Sequence, residues 1–332
     1  MGGDFVVHPV RWDRCPLVAA DPHARAWLTI QAHRGLAKNT LEAYARCLER
    51  YLCFVGSHQT SCTAITRSEI AFYFSSVQQA ASGPPANATI QQMLTVVRLF
   101  HAYLMEEGVR SNNPATNGCT ARPLIARHHK LPWIPNEEDW KSILEASRSE
   151  PIRNRLMLAF AYDAGLRREE LCCLRSDDVD PSYRTLRVRA ESTKGRRERI
   201  VPYSISSSAL LLTYLQHRRS LGQKRGPLFL SESRRNYAEP ISIWSWSKVI
   251  HAIALRAQVE RFSTHTLRHL CLTDLARAGW DIHEIAAFAG HRSIQTTLLY
   301  IHLSGRDLSA KLAASMTHIH ARRAQMLAEV AR

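Results

Sequence analysis

A proline-rich segment interrupts the helical pattern of this chain and divides it into two parts. The interruption lies between Ser111 and Pro135 and includes Asn112, Asn113, Pro114, Pro123, Pro132 and the basic run RHHK. Proline cannot continue a helix because it lacks the backbone N–H and its ring clashes with the preceding turn. We therefore expect a linker over residues 112–135 with a folded domain on each side. A chain of 332 residues is long enough for two domains with separate cores.

Helical periodicity dominates the part before the linker. Asn39 is a candidate N-cap with Glu42 three residues later, and the apolar residues that follow at helical spacing are Leu41, Tyr44, Leu48, Tyr51 and Leu52. A second helix is predicted over 67–79 after the cap candidate Thr66, and a third ends at Gly108. Residues 1–20 have no period and are expected to form an irregular arm, so a helical domain is predicted over 21–111.

The part after the linker combines helices with one strand pair. Helices are predicted after Asn136 and over 153–163, and strands over 185–190 and 198–203, joined by the turn ESTKGRR as a hairpin. The sequence after Pro240 is again helical. We therefore predict a mostly α fold with a small antiparallel β-sheet, the mixed α/β domain spanning 136–304. A helical tail is predicted over 305–332, where the residues at helical intervals are Leu308, Leu312, Met316, Ile319 and Arg323. We expect its apolar stripe to dock either on its own domain or on a neighbouring copy.

The charge of the chain favours a polyanionic partner. The formal net charge is +15 and the pI is about 9.8, and no apolar stretch is long enough to span a bilayer. Nucleic acid is therefore expected before a membrane. The N-terminus has no signal-peptide pattern, and the eight cysteines show no C-x-x-C spacing, which favours reduced thiols and a cytoplasmic location.

Six residues occur in an order that suits breaking a phosphodiester bond. Along the chain they are Arg167 in GLRREEL, Lys194 in STKGRRERIVPY, His265 and Arg268 in HTLRH, His291 in AGHR, and Tyr300 in TTLLY. Cutting DNA without metal or water needs a nucleophile, positive charge at the phosphate, a proton acceptor and a proton donor. No metal motif accompanies these residues, and neither a metal nor a cofactor is expected.

Each residue type has a chemical reason for its assignment. Tyr300 is a suitable nucleophile because its phosphodiester conserves the bond energy for rejoining. Arg167 and Arg268 offer paired donors to phosphate oxygens, and His265 shares a helix face with Arg268. His291 is placed to hydrogen-bond the phosphate, and Lys194 is the candidate acid for the leaving 5′ oxygen.

Neighbouring polar residues are interpreted as structural. Glu170 is expected to order Arg167 or to cap local structure. The histidines near the motifs that are assigned no chemistry are His269, His283 and His302. The arginines that compete with Lys194 for its role are Arg196, Arg197 and Arg199, but arginine is a poor proton donor.

On these motifs the chain resembles the tyrosine recombinases of the phage-integrase family, and its layout is similar to the Xer-type members. The resemblance covers about residues 25–303 and matches all six site residues. It implies an N-terminal SAM-like core-binding domain and a catalytic domain that together close around double-stranded DNA. It also implies a 3′-phosphotyrosyl intermediate and a homo-tetramer on two DNA sites, for integration, excision or transposition of a mobile element.

Two other functions remain open at this point. A type IB topoisomerase uses the same cleavage chemistry to relax supercoils without exchanging partners, and an inactive DNA-binding protein can keep the fold. The separate helical domain and the amphipathic tail favour recombination, and the complete set of six residues argues against an inactive binder.

Overall fold

The computed structural model describes residues 8–80, 83–116, 123–126, 131–193, 197–222, 225–303 and 305–330, and for 301–311 and 327–330 only the backbone. The chain divides into two compact units, Met1–His129 and Lys130–Arg332. The division falls inside the segment predicted to be a linker. Each unit has a hydrophobic core of its own.

The regular secondary structure in the described part of the first unit is all helical. Its helices are α1 (Pro16–Ala20), α2 (Pro22–His33), α3 (Lys38–Ser57), α4 (Arg67–Gln78) and α5 (Asn87–Glu106). Thr66 caps α4, as the sequence predicts, and it forms a capping box with Glu69. Helix α3 begins one residue before the predicted cap, because Ala37 takes the extended backbone and Asn39 lies inside the helix.

Part of the segment expected to be an irregular arm is helical. Val18 of α1 is fully buried, and the backbone N–H groups of Leu17 and Val18 donate to the carboxylate of Glu49 on α3 at 3.0 and 2.9 Å. At the other end of the unit, Ile125 from the predicted linker is buried in the same core. The core of the first unit therefore extends into both flanking segments.

The second unit holds the remaining helices and the sheet. Its helices are α6 (Glu137–Ser147), α7 (Ile152–Asp163), α8 (Arg168–Cys172), α9 (Ile205–Ser220), α10 (Ile243–Arg256), α11 (Thr264–Arg277), α12 (Ile282–Ala289), α13 (Ile294–Leu303) and α14 (Gly305–Val330). Asn136 caps α6 in a capping box with Asp139. Helices α7 and α11 pack against each other, and α11 also contacts α12 and α13.

The strands form one antiparallel sheet within the described residues. They are β1 (Val179–Asp180), β2 (Thr185–Val188) and β3 (Arg199–Pro202), in the order β1-β2-β3. Leu186 pairs with Val179 on one side and Val201 on the other. The two predicted strands are present but shorter, and β1 was not predicted. The tip of the predicted hairpin, which includes Lys194, lies outside the described residues.

The fold class agrees with the prediction, since helices predominate over a small antiparallel sheet. Among the described residues, no helix is both long and apolar enough to cross a membrane.

Candidate active site

Arg167 stands at the start of α8, where a buried carboxylate fixes it. Glu170, three residues later, accepts hydrogen bonds from the backbone N of Arg167 at 2.9 Å and from its Nη1 at 2.7 Å. Nη2 of Arg167 lies 3.5 Å from the carbonyl oxygen of Gly290. The predicted role of Glu170 in ordering Arg167 agrees with these contacts.

A second guanidinium binds the same carboxylate. Arg199 of β3 donates from Nη1 and Nη2 to Glu170 at 3.1 and 2.7 Å, and from Nε to the carbonyl of Phe288 at 3.0 Å. Glu170 is 1% exposed. Burial alone raises the pKa of its carboxyl, but hydrogen bonds and charge from Arg199, with those from Arg167, outweigh burial and lower the pKa to about 2. Glu170 is therefore a carboxylate at neutral pH.

Gly290 lies against this cluster and needs to be glycine. Its φ of +65° is in the left-handed region, and a Cβ placed on it would lie 3.1–3.4 Å from the Arg199 side chain. The glycine ends α12 and turns the chain so that the next residue, His291, enters the site.

Arg268 is buried and held by carbonyl oxygens. It is 4% exposed, and it donates from Nη1 to Gly165 at 2.5 Å and from Nη2 to Ala289 at 2.6 Å. Burial, and then the charge of Arg167, lowers its pKa to about 10, so the guanidinium stays protonated at neutral pH. No carboxylate in the described part of the chain forms an ion pair with it.

His291 has both ring nitrogens engaged. Nε2 lies 3.0 Å from Nη2 of Arg268, and Nδ1 lies 2.9 Å from Oγ1 of the buried Thr297. Because a guanidinium only donates, Nε2 is the acceptor, and the proton of the neutral ring is on Nδ1. Burial, with the charges of Arg268 and Arg167, lowers the pKa of His291 to about 3, which agrees with a neutral ring.

Tyr300 of α13 is buried among these groups, in the same chain. It is 3% exposed, and its ring stacks on that of His291 with centroids 5.9 Å apart and planes 7° apart. Its hydroxyl lies 3.1 Å from Nδ1 of His269. Burial raises the pKa of the phenol, while the charges of Arg268 and Arg167 act in the opposite direction.

His265 lies at the exposed edge of the site. It precedes Arg268 by three residues on α11, and its ring centroid is 6.4 Å from that of His269. The structure thus brings five of the six predicted site residues together, namely Arg167, His265, Arg268, His291 and Tyr300. Lys194 is the sixth, and it lies outside the described residues.

Two side chains in the site were not predicted to belong to it. His269 was interpreted as an ordinary packing residue, although it follows His265 by four residues and therefore shares its helix face. Arg199 was considered only as a rival to Lys194. Arg199 lies two residues before the buried Val201 in β3, and side chains two residues apart in a strand lie on the same face of the sheet. This spacing is the signal that could have placed Arg199 on the buried face.

The site carries an excess of positive charge. Three guanidiniums, those of Arg167, Arg199 and Arg268, surround the single carboxylate of Glu170. Among the described residues, no group of three or more His, Cys, Asp or Glu side chains is arranged to hold a metal ion. Two uncompensated positive charges beside a tyrosine hydroxyl are suited to binding an anion such as a phosphodiester.

Comparisons with known proteins identify both units. The sequence model of the phage integrase family matches residues 135–306, and that of the phage integrase N-terminal SAM-like domain matches 26–108. A tyrosine recombinase XerD from Oceanobacillus iheyensis is 30% identical over 285 residues, which cover 83% of this chain and 91% of the relative. A tyrosine recombinase from Thermosipho africanus is 27% identical over 278 residues, covering 82% and 92% of the two chains.

The fold also matches solved structures. The crystal structure of the XerH site-specific recombinase bound to a palindromic difH substrate, a post-cleavage complex, aligns with a TM-score of 0.70. The alignment covers 91% of this chain and 87% of that chain at 18% identity. This likeness shows a shared fold. The family model matches more than half of the sequence and the XerD relative is 30% identical over 83% of it, so the chain belongs to the phage integrase family, the tyrosine recombinases that exchange DNA strands.

Proposed function

We propose that this chain is a site-specific recombinase that cleaves and rejoins double-stranded DNA through a 3′-phosphotyrosyl intermediate on Tyr300. The observation that carries the proposal is the burial of the Tyr300 ring beside guanidiniums whose charge the site does not neutralise. A buried cation without a counter-ion is costly, and a bound phosphate supplies the missing negative charge.

In the proposed cleavage step, the phenolic oxygen of Tyr300 attacks the phosphorus and the bond to the 5′ oxygen breaks. Arg268 and Arg167 stabilise the negative charge that grows on the non-bridging oxygens. His291 holds Arg268 through Nε2, and His265 contributes a hydrogen bond at the open edge of the site. Lys194 is proposed to protonate the leaving 5′ oxygen.

The reaction is proposed to need neither metal nor ATP. The guanidiniums supply the positive charge that a metal ion supplies in other phosphoryl-transfer sites. The phosphotyrosyl ester keeps the energy of the broken bond, so attack by a 5′ hydroxyl on it rejoins DNA without an activated nucleotide.

Strand exchange requires several protomers on two DNA sites, and we propose a tetramer. Helix α14 supports this assembly because it exposes apolar side chains at intervals of seven residues, namely Leu312 at 62%, Ile319 at 42% and Met326 at 58%. A 26-residue helix with apolar side chains in solvent is suited to docking on a neighbouring protomer. The exchange would integrate, excise or transpose a mobile DNA element.

The first experiment is a search for the covalent intermediate. A duplex is selected from a random-sequence pool by its binding to Tyr300→Phe, and the unaltered chain is then incubated with it in EDTA without ATP. We expect a denaturant-resistant protein–DNA adduct with the DNA on Tyr300, and no adduct with Tyr300→Phe. An adduct on another residue, or none, contradicts the proposal.

A second experiment separates recombination from topoisomerase activity. Two plasmid copies of the selected site are incubated with the chain, and exchanged products and supercoiling are followed together. Recombination predicts exchange that requires both sites. Relaxation of a plasmid lacking the site, without exchange, would support a topoisomerase instead.

A further inference from the structure

His269 is in direct contact with the hydroxyl of Tyr300. Its Nδ1 lies 3.1 Å from the phenolic oxygen, and the two ring centroids are 5.7 Å apart. The residue follows Arg268 directly on α11, so the backbone that places the guanidinium also places the imidazole.

The other side chains near the phenol are unsuited to taking its proton. Both nitrogens of His291 are engaged, one as acceptor from Arg268 and one as donor to Thr297. Arginine keeps its proton at neutral pH. His265 lies one helical turn away from His269, at the exposed edge of the site.

The imidazole of His269 is neutral and able to accept. Burial, with the charges of His265 and Arg268, lowers its pKa to about 4, so one ring nitrogen has a free lone pair at neutral pH. In the tautomer that carries the ring proton on Nε2, Nδ1 has the free lone pair and accepts a hydrogen bond from the phenolic O–H.

We propose that His269 is the general base that removes the proton from Tyr300 during cleavage. The assignment rests on the proposed function, because it specifies a step of that reaction. As the phenolic oxygen bonds to phosphorus, its proton moves to Nδ1 of His269 and the bond to the 5′ oxygen breaks. That oxygen takes a proton from the acid assigned to Lys194. On rejoining, His269 returns its proton to the phenolic oxygen.

The physical chemistry of the step favours a weak base in this position. The phenol becomes much more acidic as its oxygen bonds to phosphorus, so a base of moderate pKa accepts the proton in the transition state. The bound phosphate also places negative charge near the imidazole, which favours the imidazolium. Burial of the ring, with the charges of His265 and Arg268, keeps the imidazole from being protonated before DNA binds.

Two substitutions separate a base from a side chain that only positions Tyr300. Asparagine at 269 retains a hydrogen-bond acceptor near the place of Nδ1 but does not take a proton, and alanine leaves a space for free imidazole. We expect His269→Asn and His269→Ala both to form the adduct about 10²–10⁴-fold more slowly. Imidazole in the buffer is expected to restore part of the rate to His269→Ala alone.

The matched control is His283→Ala, which removes an exposed histidine of α12 and is expected to keep the unaltered rate. DNA binding by each variant confirms that it is folded. An adduct rate in His269→Asn equal to that of the unaltered chain would reduce His269 to a positioning residue. A faster rate would show that its hydrogen bond restrains Tyr300. Either result overturns the proposal.

A third measurement varies the nucleophile instead of the base. Difluorotyrosine at position 300 is a stronger acid than tyrosine, so it depends less on a base. We expect the rate loss caused by His269→Ala to shrink in the difluorotyrosine chain, and an unchanged loss contradicts the proposal.

The proposed function and this inference fail in different ways. An absent adduct in the unaltered chain refutes the function, whatever His269 does. The inference then still has a test without DNA, because ¹⁵N NMR distinguishes protonated from unprotonated ring nitrogens. We expect an unprotonated Nδ1 in His269, and a protonated Nδ1 refutes the geometry of the proposed transfer.

Discussion

Replacing Glu170 by glutamine tests whether one carboxylate holds the arginine cluster together. Its side chain is fully buried and bonded to Arg167 and Arg199. The pKa falls from its ordinary 4.5 to about 2. At about 1.4 kcal/mol per pKa unit, that shift corresponds to about 3 kcal/mol of stability at neutral pH. Removing one partner of a buried ion pair costs a similar amount, about 3–5 kcal/mol.

The stabilisation contributed by the Glu170 carboxylate decreases as the pH is lowered. Because the pKa of Glu170 is lower in the folded chain, its stabilisation is fully present above about pH 4.5 and is lost as the pH falls toward 2. The difference between the unaltered chain and Glu170→Gln should therefore narrow from about 3 kcal/mol at pH 7 to about 2 kcal/mol at pH 3.5.

Hydrogen exchange measured by mass spectrometry in urea is the suitable assay, because peptides from α8 and β3 report the stability of this region alone. The matched control is Glu169→Gln, whose carboxylate is 48% exposed and pairs with Arg168. Such a surface pair contributes at most about 1 kcal/mol. If Glu170→Gln lowers the free energy of unfolding no more than Glu169→Gln does, the carboxylate does not hold the cluster. The same conclusion follows if the loss caused by Glu170→Gln is not smaller at acid pH.

Three further predictions concern single residues of the site. Arg268→Lys should slow adduct formation about 10²–10³-fold, because an ammonium lacks the two-pronged donor geometry, while Arg277→Lys on the same helix should match the unaltered rate in the adduct assay. Gly290→Ala should lower the free energy of unfolding by more than the roughly 1–2 kcal/mol expected from left-handed backbone strain alone, because the added Cβ also meets the Arg199 side chain. The control is Gly279→Ala, where φ is +87° and no atom lies within 4 Å of the added Cβ, so it measures the strain alone. Both are measured by urea unfolding followed by hydrogen exchange. The pKa of His291 is lowered to about 3, so the folded chain binds fewer protons than the unfolded chain between pH 6.5 and 3. The free energy of unfolding therefore decreases as the pH is lowered through this range. His291→Asn should make this decrease smaller in the same measurement.

Much of the fold follows from local sequence patterns. The segment after Thr66 is a helix with the predicted cap, and a helix begins after Asn136 as predicted. Strand β1 has only two residues, too few to show an alternating pattern, and it exists because it pairs with β2. Helix α1 is similar, since the burial of Val18 depends on contacts with distant residues such as Glu49.

The sequence predicts most of the residues that belong to the site, but fewer of the contacts between them. The order of motifs groups Arg167, Arg268 and Tyr300, and their side chains lie close to one another in the structure. The contact between His269 and the phenol depends on how α11 packs against α13, which no local pattern records. For Arg199, a run of basic residues conceals which one faces the buried Glu170.

The Glu170 carboxylate, which binds two guanidiniums, constrains how this sequence can evolve. Glu170 joins α8 to β3, and Arg199 extends the connection to α12 through the carbonyl of Phe288. A shorter acid at 170, or a lysine at 167 or 199, alters the distances that the other two positions require. We therefore expect these three positions to mutate together among relatives, as a correlated set whose members are rarely exchanged one at a time.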